Sequence, residues 1–206
     1  MAEAYKGANQ YAKAGDWYTK APEAKLANKD QVSALDYYNP GNTYYFGSNG
    51  GTDTVTLNKA IAAFALLAEK YPDLTTGHYW VGKATAAKDV EAKSGIAKPY
   101  FEKYISMAEG EPAKNKAGLV TAYTYVMVYY YNVEDKAAMN AVIDKVTALD
   151  PENSVVKDIK AAEQNLCGFC KSGRCRRYQI KFTVTIPYES GAIALLSFLP
   201  LFVCST

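Results

Sequence analysis

Residues 54–87 read TVTLNKAIAAFALLAEKYPDLTTGHYWVGKATAA, and this stretch decides the fold. From residue 57 to 71, Ala60, Ile61, Phe64, Leu67 and Ala68 recur at i, i+3 and i+4 spacing, which makes one apolar helical face. Lys59, Glu69 and Lys70 fall on other faces. Pro72 stops the helix, because its ring and missing N–H cannot continue the hydrogen-bond ladder. Asp73 to Thr76 then offers capping side chains for a second helix through Tyr79, Trp80, Ala84 and Ala87. The stretch therefore predicts helix, proline stop, helix.

The same grammar recurs on both sides. Tyr37, Gly41 and Tyr44 precede Ala60, Phe64, Leu67 and Pro72; His78, Val81 and Gly82 precede Ala97, Phe101, Tyr104 and Pro112. A third unit sets Tyr123, Val126 and Tyr130 before Met139, Ile143, Val146 and Pro151. In its second half, Ala138, Val142, Val146 and Leu149 form an apolar face over 137–149, with Asp135 as the N-cap. The first two units carry insertions: a Gly/Asn-rich loop over 39–56 and a polar loop over 88–95. Upstream, Tyr5, Tyr11, Ala12, Gly15, Asp16 and Trp17 outline a truncated unit whose second helix is broken by Pro22. Residues 154–166 read as a terminal capping helix.

These residues resemble the tetratricopeptide repeat, a 34-residue helix–turn–helix with the pattern W-x₂-L-G-x₂-Y…A-x₃-F…P. Gly41-x₂-Tyr44, Ala60-x₃-Phe64 with Pro72, and Ala97-x₃-Phe101 carry the resemblance, over about residues 1–166. Met127 and Met139 depart from it, where a small residue and an alanine are expected. A plain antiparallel bundle would place the same apolar positions, but repeated proline stops and glycines favour an array. The resemblance implies an all-α α-solenoid: a partial or degenerate repeat over 1–32, an array with a capping helix over 33–166, and an atypical tail over 167–206.

It also implies a protein-binding scaffold of bacterial type rather than an enzyme, with no cofactor. Its ligand would be a protein or peptide, an extended segment or a partner helix, held on a concave face. Mapping the family's inner positions onto the first helices selects Tyr38, Asn42, Tyr45, Tyr79, Lys83, Thr124 and Tyr131. Tyr44 and Tyr130 take the family's buried tyrosine position, one step before Tyr45 and Tyr131. The paired lysine/asparagine arrangement with which some relatives clamp a terminal carboxylate is not evident.

Bulk chemistry narrows the alternatives. The formal net charge is +2, which argues against a nucleic-acid footprint. His78 is the one histidine and occupies a packing slot, and no HExxH, Walker A or GxSxG sequence occurs. Gly47 to Gly51 is glycine-rich but lacks the Lys-Ser/Thr that would make it a phosphate loop. No run reaches the roughly 20 apolar residues of a membrane helix. The N-terminus carries no secretory signal, so a cytoplasmic location is the default expectation, with export expected if the chain is a fragment of a longer protein.

Composition breaks after Leu166. All three arginines and all four cysteines lie beyond it, and that tail nets +4 against −2 for the rest. Cys167, Cys170 and Cys175 could open a zinc site but lack a nearby fourth ligand, Cys204 being remote. Residues 178–186 alternate as a strand that Pro187 ends. Three readings of the tail stand: an aberrant terminus such as readthrough in another frame, a docking or membrane-contact tail, and a metal or disulfide site. Two further functions follow, a structural C-terminal segment of a longer repeat protein and a metal- or redox-active protein acting through the tail cysteines.

Overall fold

The computed structural model describes residues 1–161. The 167–206 tail, with its cysteines and its expected strand over 178–186, lies outside the described residues, as does the end of the expected capping helix. Among the described residues every regular element is helical: α1 (Ala2–Gly7), α2 (Tyr11–Thr19), α3 (Ala21–Ala27), α4 (Ala34–Gly47), α5 (Thr54–Lys70), α6 (Thr75–Ala86), α7 (Lys98–Ala108), α8 (Lys116–Asn132) and α9 (Lys136–Leu149). Helix resumes over 154–161. From α4 onward each helix packs on its successor, α2 packs on α4, and α6 also reaches α8. Contact between α6 and α8 is what stacking of helical pairs requires.

The decisive stretch folds as its pattern dictates. Helix α5 buries Leu57, Ala60, Phe64 and Leu67 completely and leaves Glu69 and Lys70 outside. Asp53 caps it, accepting from the Val55 and Thr56 N–H groups at 3.1 Å. Asp135 caps α9 in the same way, accepting from Ala138 N at 3.0 Å. Pro72, Pro112 and Pro151 each follow a helix end. The upstream helix does break, but at Lys20: Pro22 lies in the first turn of α3, where its missing N–H costs nothing.

Two local expectations are corrected. The first concerns the loop expected over 39–56. Helix α4 instead runs straight through Pro40, and the connection shrinks to 48–53. Burial of Gly41, Thr43, Tyr44 and Tyr45 along one side outweighs the roughly 3 kcal/mol a mid-helix proline costs. A capping box supports the start, with Ser33 and Asp36 bonding reciprocally. The second concerns α6, whose N-cap is Leu74 without a side-chain cap bond; Asp73 and Thr76 do not serve.

Two apolar clusters form the core. One joins α4, α5 and α6 around Phe64, Leu67 and Tyr44. The other joins α7, α8, α9 and 154–161 around Phe101, Met127, Ile143 and Ile159. Helix α8 is buried continuously from Ala122 to Val128, as a helix enclosed on several sides must be. The glycines of the repeat pattern mark where helices touch: an added Cβ on Gly41 would come 2.6 Å from the Phe64 ring, and one on Gly82 2.8 Å from the Phe101 ring. In the third unit Met127 and Ile143 replace that glycine and phenylalanine, and both are buried.

Candidate functional site

Five of the seven expected binding residues gather at the joint between α4 and α6. Asn42 Nδ2 donates to the Tyr38 hydroxyl at 2.9 Å, one helical turn apart. The Trp80 ring lies 5.9 Å from that of Tyr38, 5.3 Å from Tyr45 and 5.8 Å from Tyr79, each edge-on. Its indole stacks on Phe64 at 5.2 Å. The Lys83 ammonium sits 4.7 Å from the Trp80 centroid, 5.8 Å from Tyr45 and 5.9 Å from Tyr79. Edge-to-face rings and a cation over their faces are the geometry the ring quadrupole favours.

Trp80 is therefore the centre of this cluster, and the positional mapping missed it. It stands one residue after Tyr79, and its signal was its size and its place on the apolar side of the helix. Tyr38, Asn42, Tyr79 and Lys83 are half-buried, whereas Tyr45 is 5% exposed and packs mainly as core. The other two expected residues lie apart, on α8. Thr124 is 7% exposed, and its Oγ1 is buried without a hydrogen-bond partner among the described residues. Tyr131 is half-buried near the end of α8. Tyr44 is buried as the family position requires, while Tyr130 is only half-buried and has the Lys98 ammonium 5.4 Å from its ring.

Other polar constellations hold the array together. The Tyr44 hydroxyl donates to Asp16 at 2.6 Å, and Lys59 donates to the same carboxylate at 2.8 Å. Lys59 and Tyr44 together hold that carboxyl below its ordinary range. The pattern recurs two units on: Tyr123 and Lys145 both donate to Glu109. The first set links α2, α4 and α5 and the second the end of α7 with α8 and α9, and no local sequence pattern reveals either. Asp89, 9% exposed, organises the connection between α6 and α7. It accepts from Lys93 N at 3.1 Å, Ser94 N at 3.3 Å, Gly95 N at 2.8 Å and the Tyr125 hydroxyl at 2.8 Å. Burial pushes its carboxyl up, but these donors more than offset that and leave it lowered.

His78 places Nε2 3.0 Å from the Pro72 carbonyl oxygen, a local tie across the turn before α6. Among the described residues no three His, Cys, Asp or Glu side chains cluster as metal ligands would. No helix among them is long and apolar enough to cross a membrane.

No protein-family model matches the sequence, and no curated protein matches it. Among solved structures, the chain is similar to the C-terminal part of a TPR repeat-containing protein from Cytophaga hutchinsonii, at 29% identity and a TM-score of 0.55. The likeness covers 72% of this chain and 58% of that one, so the chain spans less than two thirds of its neighbour. With helices packing in chain order, the all-α architecture matches that of a TPR-like helical repeat protein.

Proposed function

We propose that the chain is a protein-interaction scaffold with no catalytic step, and that it takes a peptide or partner helix on the face built by α4, α6 and α8. The observation that supports this reading is the cluster of Tyr38, Asn42, Tyr79 and Lys83 about Trp80. Half-buried tyrosines held edge-on by neighbours offer large contact area with little entropy left to lose. Asn42 and Lys83 add polar groups within the same patch, and Tyr131 would extend it along α8, whereas the buried Thr124 would contribute only from beneath the surface.

Peptides selected by display against the full chain, then titrated against it and against the Asn42→Ala/Lys83→Ala variant, test the reading. A selected peptide should lose about tenfold or more in affinity, as hot-spot truncation does, while helicity by circular dichroism is unchanged. Equal affinity for parent and variant would move binding off this face.

A second reading, a structural segment of a longer array, is favoured by the N-terminal end. Leu26 and Leu35 are 62% and 64% exposed there, and Trp17 is 39% exposed, where terminal repeats of such arrays are usually polar. A chain that self-associates less once Leu26 and Leu35 are changed to Gln would support it; unchanged association would remove it.

A further inference from the structure

The short connection from α4 to α5 presents a chemically reactive pair at its tip. Gly51 N donates to the Ser48 carbonyl at 3.1 Å, closing a four-residue turn. Its central residues, Asn49 at φ 50° and Gly50 at φ 67°, both adopt the left-handed region, as in a type I′ turn. The legs of the turn are fixed. Ser48 is 1% exposed, its hydroxyl donates to Tyr45 O at 2.7 Å, and its carbonyl also accepts Asp53 N at 3.0 Å. The tip is not enclosed: Asn49 is exposed, and its carbonyl is engaged by the Thr52 hydroxyl at 2.9 Å. Asn49 is also the only asparagine in the chain followed by glycine. Asn42, Asn58, Asn132 and Asn140 lie inside helices, whose ladders hold the following amides in place, and Asn39 precedes Pro40, whose nitrogen has no proton to lose.

We propose that Asn49 is a site of spontaneous deamidation in the folded protein. The Gly50 backbone nitrogen loses its proton to solvent base and attacks Asn49 Cγ. The new C–N bond closes a five-membered succinimide, and the side-chain nitrogen takes up a proton and leaves as ammonia. Water then adds to either imide carbonyl, and cleavage of that C–N bond gives aspartate or isoaspartate. No oxidant or reductant is involved. Gly50 permits the attack because no Cβ crowds its nitrogen. Ring closure needs rotation about the Asn49 Cα–C bond, which opens the turn bond from Gly51 to Ser48. A single turn bond at an exposed loop tip opens locally without global unfolding, so the fold, through the buried Ser48 carbonyl, gates the reaction but does not prevent it. Isoaspartate adds one carbon to the main chain inside the turn, and either product adds a negative charge four residues before Asp53, the cap of α5.

The full chain is incubated under native conditions at neutral and mildly alkaline pH, and its peptides are mapped by chromatography and mass spectrometry. The Asn49 peptide should split into aspartate and isoaspartate forms before any other asparagine changes, faster at the higher pH. Gly50→Ala should slow this severalfold. Because that substitution strains a positive φ, the parent in denaturant serves as a second measurement, with conversion there faster than in the folded chain but at the same residue. Conversion of Asn49 only in denaturant, earlier change at another asparagine, or a rate indifferent to Gly50→Ala in folded protein would overturn the proposal.

Discussion

At the scale of single residues, two kinds of position carry opposite expectations. Gly41 and Gly82 exist to let a phenylalanine ring approach the backbone, so a methyl group there displaces Phe64 or Phe101. Gly82→Ala should destabilise the chain by about 1–3 kcal/mol, the usual cost of overpacking, read as a lower urea midpoint at unchanged slope. An unchanged midpoint would mean that the ring moves aside freely. Thr124 is the converse case, a buried hydroxyl without a partner among the described residues. Thr124→Val keeps the shape and removes the unsatisfied group, and should stabilise by about 1 kcal/mol. Loss of stability instead would mean that the hydroxyl is bonded in solution. The sequence placed Gly41, Gly82, Phe64 and Phe101 in the repeat pattern, but not the contacts of each glycine with its ring. It did not reveal the acid–tyrosine–lysine sets, whose partners are 14 residues apart for Tyr123–Glu109 and 43 for Lys59–Asp16, or the Tyr125–Asp89 bond, 36 residues apart. Side chains that meet only through tertiary stacking leave no local period to read.

At the scale of elements, α5, α9 and the proline stops were legible because an apolar face and a breaker agreed in each, with Asp135 marking the start of α9; the Asp53 cap of α5 was hidden in the expected loop. Helix α4 was not, since Pro40 and the glycines around it read as a loop while the buried tyrosines read as helix, and burial won. That conflict has a consequence. Pro40 has no N–H to give the Asp36 carbonyl, so the first turn of α4 depends on its cap more than the first turn of α9 does. Asp36 supplies that cap, accepting from Ser33 N at 2.8 Å and from Lys25 at 2.7 and 2.9 Å. Asp36→Ala should cost about 1–2 kcal/mol, at or above the usual loss of a cap, and speed amide exchange at Tyr37 and Tyr38. Asp135→Ala, in a helix without an internal proline, should cost less. Equal losses would show that the proline adds nothing to the cap's importance. The proposed binding face was half legible for a similar reason. The resemblance selected five residues of α4 and α6 that the structure gathers, but it could not say that Tyr45 turns into the core or that Trp80 gathers its neighbours.

At the scale of the whole molecule, stability has a pH window whose two edges come from different groups. Asp16, Asp89 and Glu109 are held below their ordinary values of 3.8, 3.8 and 4.5. A lowered carboxylate stabilises the fold fully above its unfolded value, and that contribution is lost as pH falls through the folded value. The acid edge therefore lies below about pH 4–5. Burial pushes Tyr44 and Tyr104 up from 10.0 to about 12, and burial raises Tyr125 as well. A raised phenol contributes fully below pH 10.0 and loses that contribution as pH climbs toward about 12. Urea midpoints should accordingly be level between the two edges and fall on both sides. The two edges are coupled where Tyr44 donates to Asp16 and Tyr125 to Asp89, whereas Tyr104 is raised by burial and by Tyr79 with no carboxylate involved. Lys59→Ala removes the largest influence lowering Asp16 and should weaken the acid-side dependence while leaving the Tyr104 contribution to the alkaline edge in place. The tyrosinate absorbance of Tyr44, Tyr104 and Tyr125 should meanwhile rise only as the helices part. A single step near 10 in a chain that is still helical would mean that Tyr44, Tyr104 and Tyr125 are not held in the packed array, and the stacking of α4 through α8 would fall with it.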